Sequence, residues 1–130
     1  MSKGFACILQ IFPTPDIRNT ARFYERIGFR SVYYLESKEP HVCLYRDAIE
    51  IVLTQSSQSP FRPIREVHGY GYDSYFVTNE QQEMEQELIS LGVHIVRPLT
   101  TTDYQNVEFV FEDCDGRWIA VGKKSSNEAE

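Results

Sequence analysis

The feature that most constrains this chain is an internal repeat. The stretch TPDIRNTARFYERIGF (14–29) has a counterpart in NEQQEMEQELISLG (79–92), and Asp16 and Gly28 recur 64 positions later as Glu80 and Gly92. Self-similarity at a fixed offset means that one supersecondary unit is used twice, so the fold follows from reading one copy. In the first copy Asp16 suits a helix N-cap and Gly28 a C-terminal stop. Between them Ile17, Thr20, Ala21, Phe23, Tyr24 and Ile27 form an apolar stripe at helical spacing. In the second copy Met84, Leu88 and Leu91 are expected to face inward, and Glu80, Glu83, Glu85 and Glu87 to form a solvated face.

Strand-like runs flank both helices. FACILQIF (5–12) precedes the first helix, and FRSVYYLE, HVCLYRD and AIEIVLTQ follow it. YDSYFVT (72–78) precedes the second, and VHIVRP, VEFVFED and RWIAVG follow it. Period-two alternation marks these runs as strands, and DCDG as the turn between the last two. SSQSPFRPIREVHG (56–69), with Pro60, Pro63 and three serines, reads as a connecting loop. Each half is therefore βαβββ, about residues 5–55 and 70–123. Together they predict an α+β fold of two curved sheets, each with a helix on its outer face, related by a pseudo-twofold axis around a cavity. Residues 1–124 form one domain, followed by a polar tail at 125–130.

Composition excludes several function classes. A net charge of −6 and a pI near 5.1 argue against a nucleic-acid partner, because phosphate binding needs clustered Lys and Arg. No apolar run reaches membrane length and no secretory leader is visible, so the expected location is the cytoplasm, with no membrane partner. Cys7, Cys43 and Cys114 are odd in number and widely spaced, which fits reduced thiols rather than a disulfide framework or a zinc site. His41, His68 and His94 have no second His or Cys at ligand spacing. No P-loop, GxGxxG, nucleophile elbow or Ser–His–Asp signature is present.

PDIRNTARFYERIGF resembles the opening helix of the vicinal oxygen chelate superfamily, which includes glyoxalase I, extradiol dioxygenases and the fosfomycin and bleomycin resistance proteins. RDAIEIVL is similar to the fourth strand of those proteins. FVFEDCDGRWIAV is similar to their closing hairpin, with Cys114 and Arg117 where Pro and Asn are usual. Metal-dependent members draw one ligand from each of the first, fourth, fifth and eighth strands. The resemblance places these positions on Leu9 (on Gln10 if FPTPD carries one extra residue), Glu50, Asp73 and Ala120. Leucine and alanine cannot ligate, so no metal and no cofactor are expected.

Alternation then puts Val52 on the face of Glu50, Tyr75 on that of Asp73 and Trp118 on that of Ala120. Tyr104, in DYQNVEF, stands where bleomycin-resistance-like proteins often carry an aromatic residue. The expected ligand-binding set is Glu50, Asp73, Tyr75, Tyr104 and Trp118, with no catalytic residue. Aromatic, apolar and acidic lining together suits a planar hydrophobic or cationic molecule. Loop and edge aromatics (Tyr33, Tyr34, Phe61, Tyr70, Tyr72) and the resemblance both imply a homodimer. The leading reading is thus a metal-independent small-molecule binding protein resembling bleomycin resistance proteins. The alternatives are a metal-dependent glyoxalase-like lyase, isomerase or thiol transferase using Glu50 and Asp73, and a fold kept for protein interaction.

Overall fold

The structure, a computed structural model, describes residues 2–123. The polar tail expected at 125–130 lies outside these residues. The chain divides after Ser57 into two compact units.

The first unit runs β1 (Gln10–Thr14), α1 (Ile17–Arg26), β2 (Arg30–Tyr34), β3 (His41–Arg46) and β4 (Ile49–Gln55). Its sheet has the order β1-β4-β3-β2, with β1 parallel to β4 and the other pairs antiparallel. Asp16 caps α1, its Oδ1 accepting the Asn19 N–H at 3.1 Å. All six residues of the expected stripe, Ile17, Thr20, Ala21, Phe23, Tyr24 and Ile27, are buried. The Tyr24 ring meets Phe23 and Phe29 edge-on, at centroid distances of 5.1 and 5.4 Å. Ile51 and Leu53 of β4 are fully buried while Glu50, Val52 and Thr54 are half-buried, so one face of this sheet carries the core. Burying side chains of this size contributes about 1.5–3 kcal/mol each.

The second unit runs α2 (Ile64–His68), β5 (Ser74–Val77), α3 (Gln81–Ser90), β6 (His94–Thr101), β7 (Val107–Glu112) and β8 (Trp118–Lys123). Its sheet, β5-β8-β7-β6, repeats the topology of the first, with β5 parallel to β8. The register of β1, β4 and β3 is repeated in β5, β8 and β7 as well, whereas β6 shifts register against β7 twice, between Ile95 and Arg97 and between Arg97 and Thr100, and β2 does not shift against β3. Gln10 pairs with Ile51 and Ser74 with Ile119, which makes Val52 and Thr54 the counterparts of Ala120 and Gly122. Across the neighbouring strand, His41 and Glu108 are counterparts, as partners of Thr54 and Gly122. Gly28 and Gly92, with φ of +98° and +82°, end the two helices in the left-handed region that only glycine enters freely.

Four features differ from expectation. FACILQIF is not a strand throughout: β1 starts at Gln10, where pairing with β4 begins, and Phe5 and Ile8 stand fully exposed ahead of it. Without a neighbouring strand, residues 5–9 have nothing to hydrogen-bond as a ladder. The stretch 56–69 contains a helix, α2, entered from Pro63 and closed by Gly69 at φ +93°. In α3 only Leu88 is buried; Met84 is half-buried and Leu91 is 43% exposed, because the next buried position is Val93, beyond the helix end. The acidic face of α3 is also less passive than expected, since Glu85 Oε2 accepts the Leu99 N–H at 2.9 Å.

Candidate binding site

The second unit carries a pocket of about 520 Å³ lined by Arg65, Gly69, Tyr70, Gly71, Tyr72, Arg97, Tyr104 and Trp118. Two expected residues, Tyr104 and Trp118, stand in its wall. The others come from α2, from the GYGY turn after it and from β6.

Trp118 opens β8 and is held at three points. Its backbone N–H donates to Asp73 Oδ2 at 3.1 Å, its indole N–H donates to Glu112 Oε1 at 3.3 Å, and the Arg65 guanidinium carbon lies 3.9 Å from the ring centroid. Arg65 is anchored in turn by an Nη1–H donated to the Gly116 carbonyl at 2.8 Å. Asp73 has a different part from the one expected of it. Its Oδ1 accepts the Ile64 N–H at 3.1 Å while Oδ2 takes that of Trp118, so both oxygens tie the start of α2 to the start of β8. Such a carboxylate helps to position Arg65 over Trp118.

Behind the pocket wall lies Glu108, fully buried, on which four donors converge. Tyr75 donates its O–H to Oε1 at 2.9 Å. Oε2 accepts from Tyr104 at 2.8 Å, from Arg97 Nη2 at 3.0 Å and from Tyr72 at 3.4 Å. Arg97 Nη2 also donates to the Tyr72 hydroxyl, and Asn106 Nδ2 reaches the Tyr75 oxygen at 3.5 Å. A buried carboxylate is tolerated only with this degree of pairing. Burial first, and then the hydrogen bond to Glu108, push the Tyr75 phenol up to about 12. The same two causes raise that of Tyr104 further. The Arg97 guanidinium is raised chiefly by its bond to Tyr72, against an opposing contribution from burial. These tyrosines therefore stay neutral donors at any physiological pH.

Gly122 makes the cluster possible. A β-carbon there would lie 2.6 Å from Glu108 Cβ, 2.6 Å from the Val107 carbonyl oxygen and 2.7 Å from the Tyr75 hydroxyl. Tyr75 itself, expected as a ligand contact, is a buttress of this kind and is not among the lining residues.

Glu50 belongs to the first unit, half-buried on β4 beside Tyr45. That unit has its own open pocket of about 550 Å³, lined by Glu39, Pro40, His41, Val52, Thr54 and Gln55, with the His41 ring stacked on Tyr34. Glu50 is not part of its lining.

The residues present do not fit the metal of the chelate enzymes. Ala120 offers no donor and is fully buried, Leu9 offers none, and both Asp73 oxygens are engaged by backbone amides. Among the described residues no group of three or more His, Cys, Asp or Glu side chains is placed to hold a metal ion. Among the same residues no helix is long and apolar enough to cross a membrane.

Sequence reasoning missed Arg65, Arg97 and the role of Glu108. Pro63 followed by five residues and a closing Gly69 was the signal for α2. Glu108 carried no such signal, because alternation along VEFVFE places it with Val110 and Glu112 and does not show that this face is buried as well.

The sequence profile of the Glyoxalase/Bleomycin resistance protein/Dioxygenase superfamily matches residues 8–121, and the chain belongs to that superfamily. No curated protein sequence matches it. Solved structures do. A bleomycin-binding protein complexed with bleomycin is similar at 16% identity and a TM-score of 0.73, over 93% of this chain and 100% of that one. A bleomycin resistance determinant encoded on the transposon Tn5 is similar at 17% identity and a TM-score of 0.72, over 93% and 99%. A virulence protein from Salmonella typhimurium is similar at 24% identity and a TM-score of 0.64, over 93% and 98%. At these identities the likeness is one of fold.

Proposed function

We propose that this chain is a metal-independent small-molecule binding protein that takes a planar, largely apolar ligand into the pocket around Trp118 and Tyr104. The observation that carries this reading is the lining itself: four aromatic side chains around about 520 Å³, within the usual range for a small-molecule site, with no Ser, Cys, His, Lys or carboxylate in the lining. Superfamily membership supports it, as does a fold shared with a bleomycin-binding protein. A cationic ligand loses the carboxylates that suggested it, since the lining contains no Asp or Glu. Sequestration needs no reacting group, which suits a role of the drug-resistance kind in the cytoplasm. The working form is a homodimer, in which Phe5, Ile8 and Ile11, all more than half exposed, would be covered by a second copy.

Trp118 is the only tryptophan, so its emission reports on the pocket directly. Titration with a panel of planar aromatic dyes is expected to give saturable quenching. Trp118→Phe and Tyr104→Ala, followed by displacement of a dye that fluoresces on its own, are each expected to weaken binding by about 1–3 kcal/mol. Unchanged affinity in both variants would remove these residues from the site. Sedimentation at micromolar concentration tests the dimer; a clean 15.1 kDa species counts against it.

A further inference from the structure

The lining of this pocket is opposite in charge sign to the protein. The chain carries a net charge of −6, yet its pocket is lined by two arginines and no acid. The neighbouring carboxylates are committed: Asp73 to two backbone amides, Glu108 to Arg97 and three phenols, and Glu112 to the indole N–H. Arg97 is neutralised by Glu108 at 3.0 Å. Arg65 is not neutralised in this way. Its one hydrogen bond is to a carbonyl, and among the described residues no carboxylate lies within ion-pair distance of it. Its guanidinium lies over Trp118, 3.9 Å from the ring centroid, and is tethered there through one Nη1–H, which leaves its other N–H donors available to a ligand.

Resting on the ligand-binding reading above, we infer that the occupant is a planar aromatic anion, with an acid group coplanar with its ring system, and that Arg65 is the residue that reads the acid. An aromatic carboxylate fits both features. Its two oxygens match the fork of N–H donors in the guanidinium plane, and its rings lie against the tyrosines of the pocket. The half-buried position of Arg65 strengthens the contact relative to a fully solvated one. A cationic ligand would meet an unpaired like charge.

The test uses three probes of one shape: naphthalene-2-carboxylate, naphthalene-2-carboxamide and 2-naphthylmethylammonium. Each is titrated into the full chain at low and at physiological salt, with Trp118 quenching as the readout. The carboxylate is expected to bind at least about tenfold more tightly than the amide, and the ammonium more weakly than either. Arg65→Gln is expected to abolish the preference for the carboxylate, bringing carboxylate and amide to the same affinity within about twofold of each other. Arg65→Lys, which keeps the charge and loses the planar fork, is expected to retain part of it. Equal binding of carboxylate and amide, or a preference for the ammonium, overturns the inference and leaves the pocket a binding site. Absence of saturable quenching by all three overturns the binding reading, and this inference with it. The order of the three probes on the unmutated protein decides the matter even if Arg65→Gln fails to fold.

Discussion

The two halves share strand order, helix placement and the register of three of their four strands, and differ in what covers one face of each sheet. In the first half Ile51 and Leu53 are sealed in while Val52 and Thr54, on the other face of β4, stay half-buried. In the second half both faces of β8 are closed: Ile119 and Val121 on one, Ala120 and Gly122 on the other. The first half buries few polar side chains, and its Thr14 and Thr20 hydroxyls satisfy one another at 2.8 Å. The second buries Asn106, Glu108, Asp113 and Arg117. A repeat can thus keep its topology through one apolar face, while the other face is free to become either an open surface or a polar network.

Matched substitutions at equivalent positions separate these regimes. The largest contrast is expected at the pair His41 and Glu108. Glu108→Ala leaves Arg97 and three phenols without their acceptor and should destabilise the fold by about 3–5 kcal/mol in urea unfolding. His41→Ala, on the open face, should stay within about 0.5 kcal/mol. Comparable losses would mean that the first half is as dependent on its polar face as the second.

The next contrast is at Thr54 and Gly122. Gly122→Ala forces a methyl against a backbone carbonyl and should cost about 3 kcal/mol, whereas Thr54→Ala should cost under about 1 kcal/mol. Thermal melts of the two variants side by side sharpen or break the comparison.

Tyr75→Phe removes one hydrogen bond to a charged acceptor and should cost about 1–2 kcal/mol. Its pH dependence is specific. The folded phenol ionises near 12, above the ordinary value of 10.0, so the unfolded chain loses that proton first as pH rises. The stabilisation is therefore complete below pH 10 and is lost between about 10 and 12. Unfolding followed along that interval should show a smaller fall in Tyr75→Phe than in the unmutated protein; equal slopes would detach Tyr75 from Glu108.

The smallest contrast is between the helix starts. Asp16→Ala removes a side-chain cap and should cost about 1 kcal/mol, whereas Glu80 makes no such bond and Glu80→Ala should be nearly silent. A loss at Glu80 equal to that at Asp16 would make the two helices energetically alike.

The fold was legible because it is written twice. Asp16 and Gly28 bound a helix whose buried stripe matches its apolar residues, and alternation marks the strands, because one face of each is a continuous apolar surface. Legibility failed where burial was not apolar. Glu108 has no sequence mark that separates it from a solvated glutamate, and Asp73 reads the same whether it faces a ligand or two amides. Trp118 and Tyr104 are visible as aromatics at particular positions, but Arg65 lies in a stretch whose prolines and serines read as a loop. Its stacking on Trp118 joins residues 53 positions apart, a distance no local pattern spans.

The absent side chain at Gly122 ties three positions into one evolutionary unit. A β-carbon there collides with position 108 and with the hydroxyl of position 75, so neither Gly122 nor Tyr75 is free to drift alone. Among relatives, a larger residue at the position of Gly122 should accompany a shortened side chain at that of Glu108 and a residue other than tyrosine at that of Tyr75. Where the three change together, the tyrosine–carboxylate cluster has been given up, and the wall behind the pocket has been rebuilt from other chemistry.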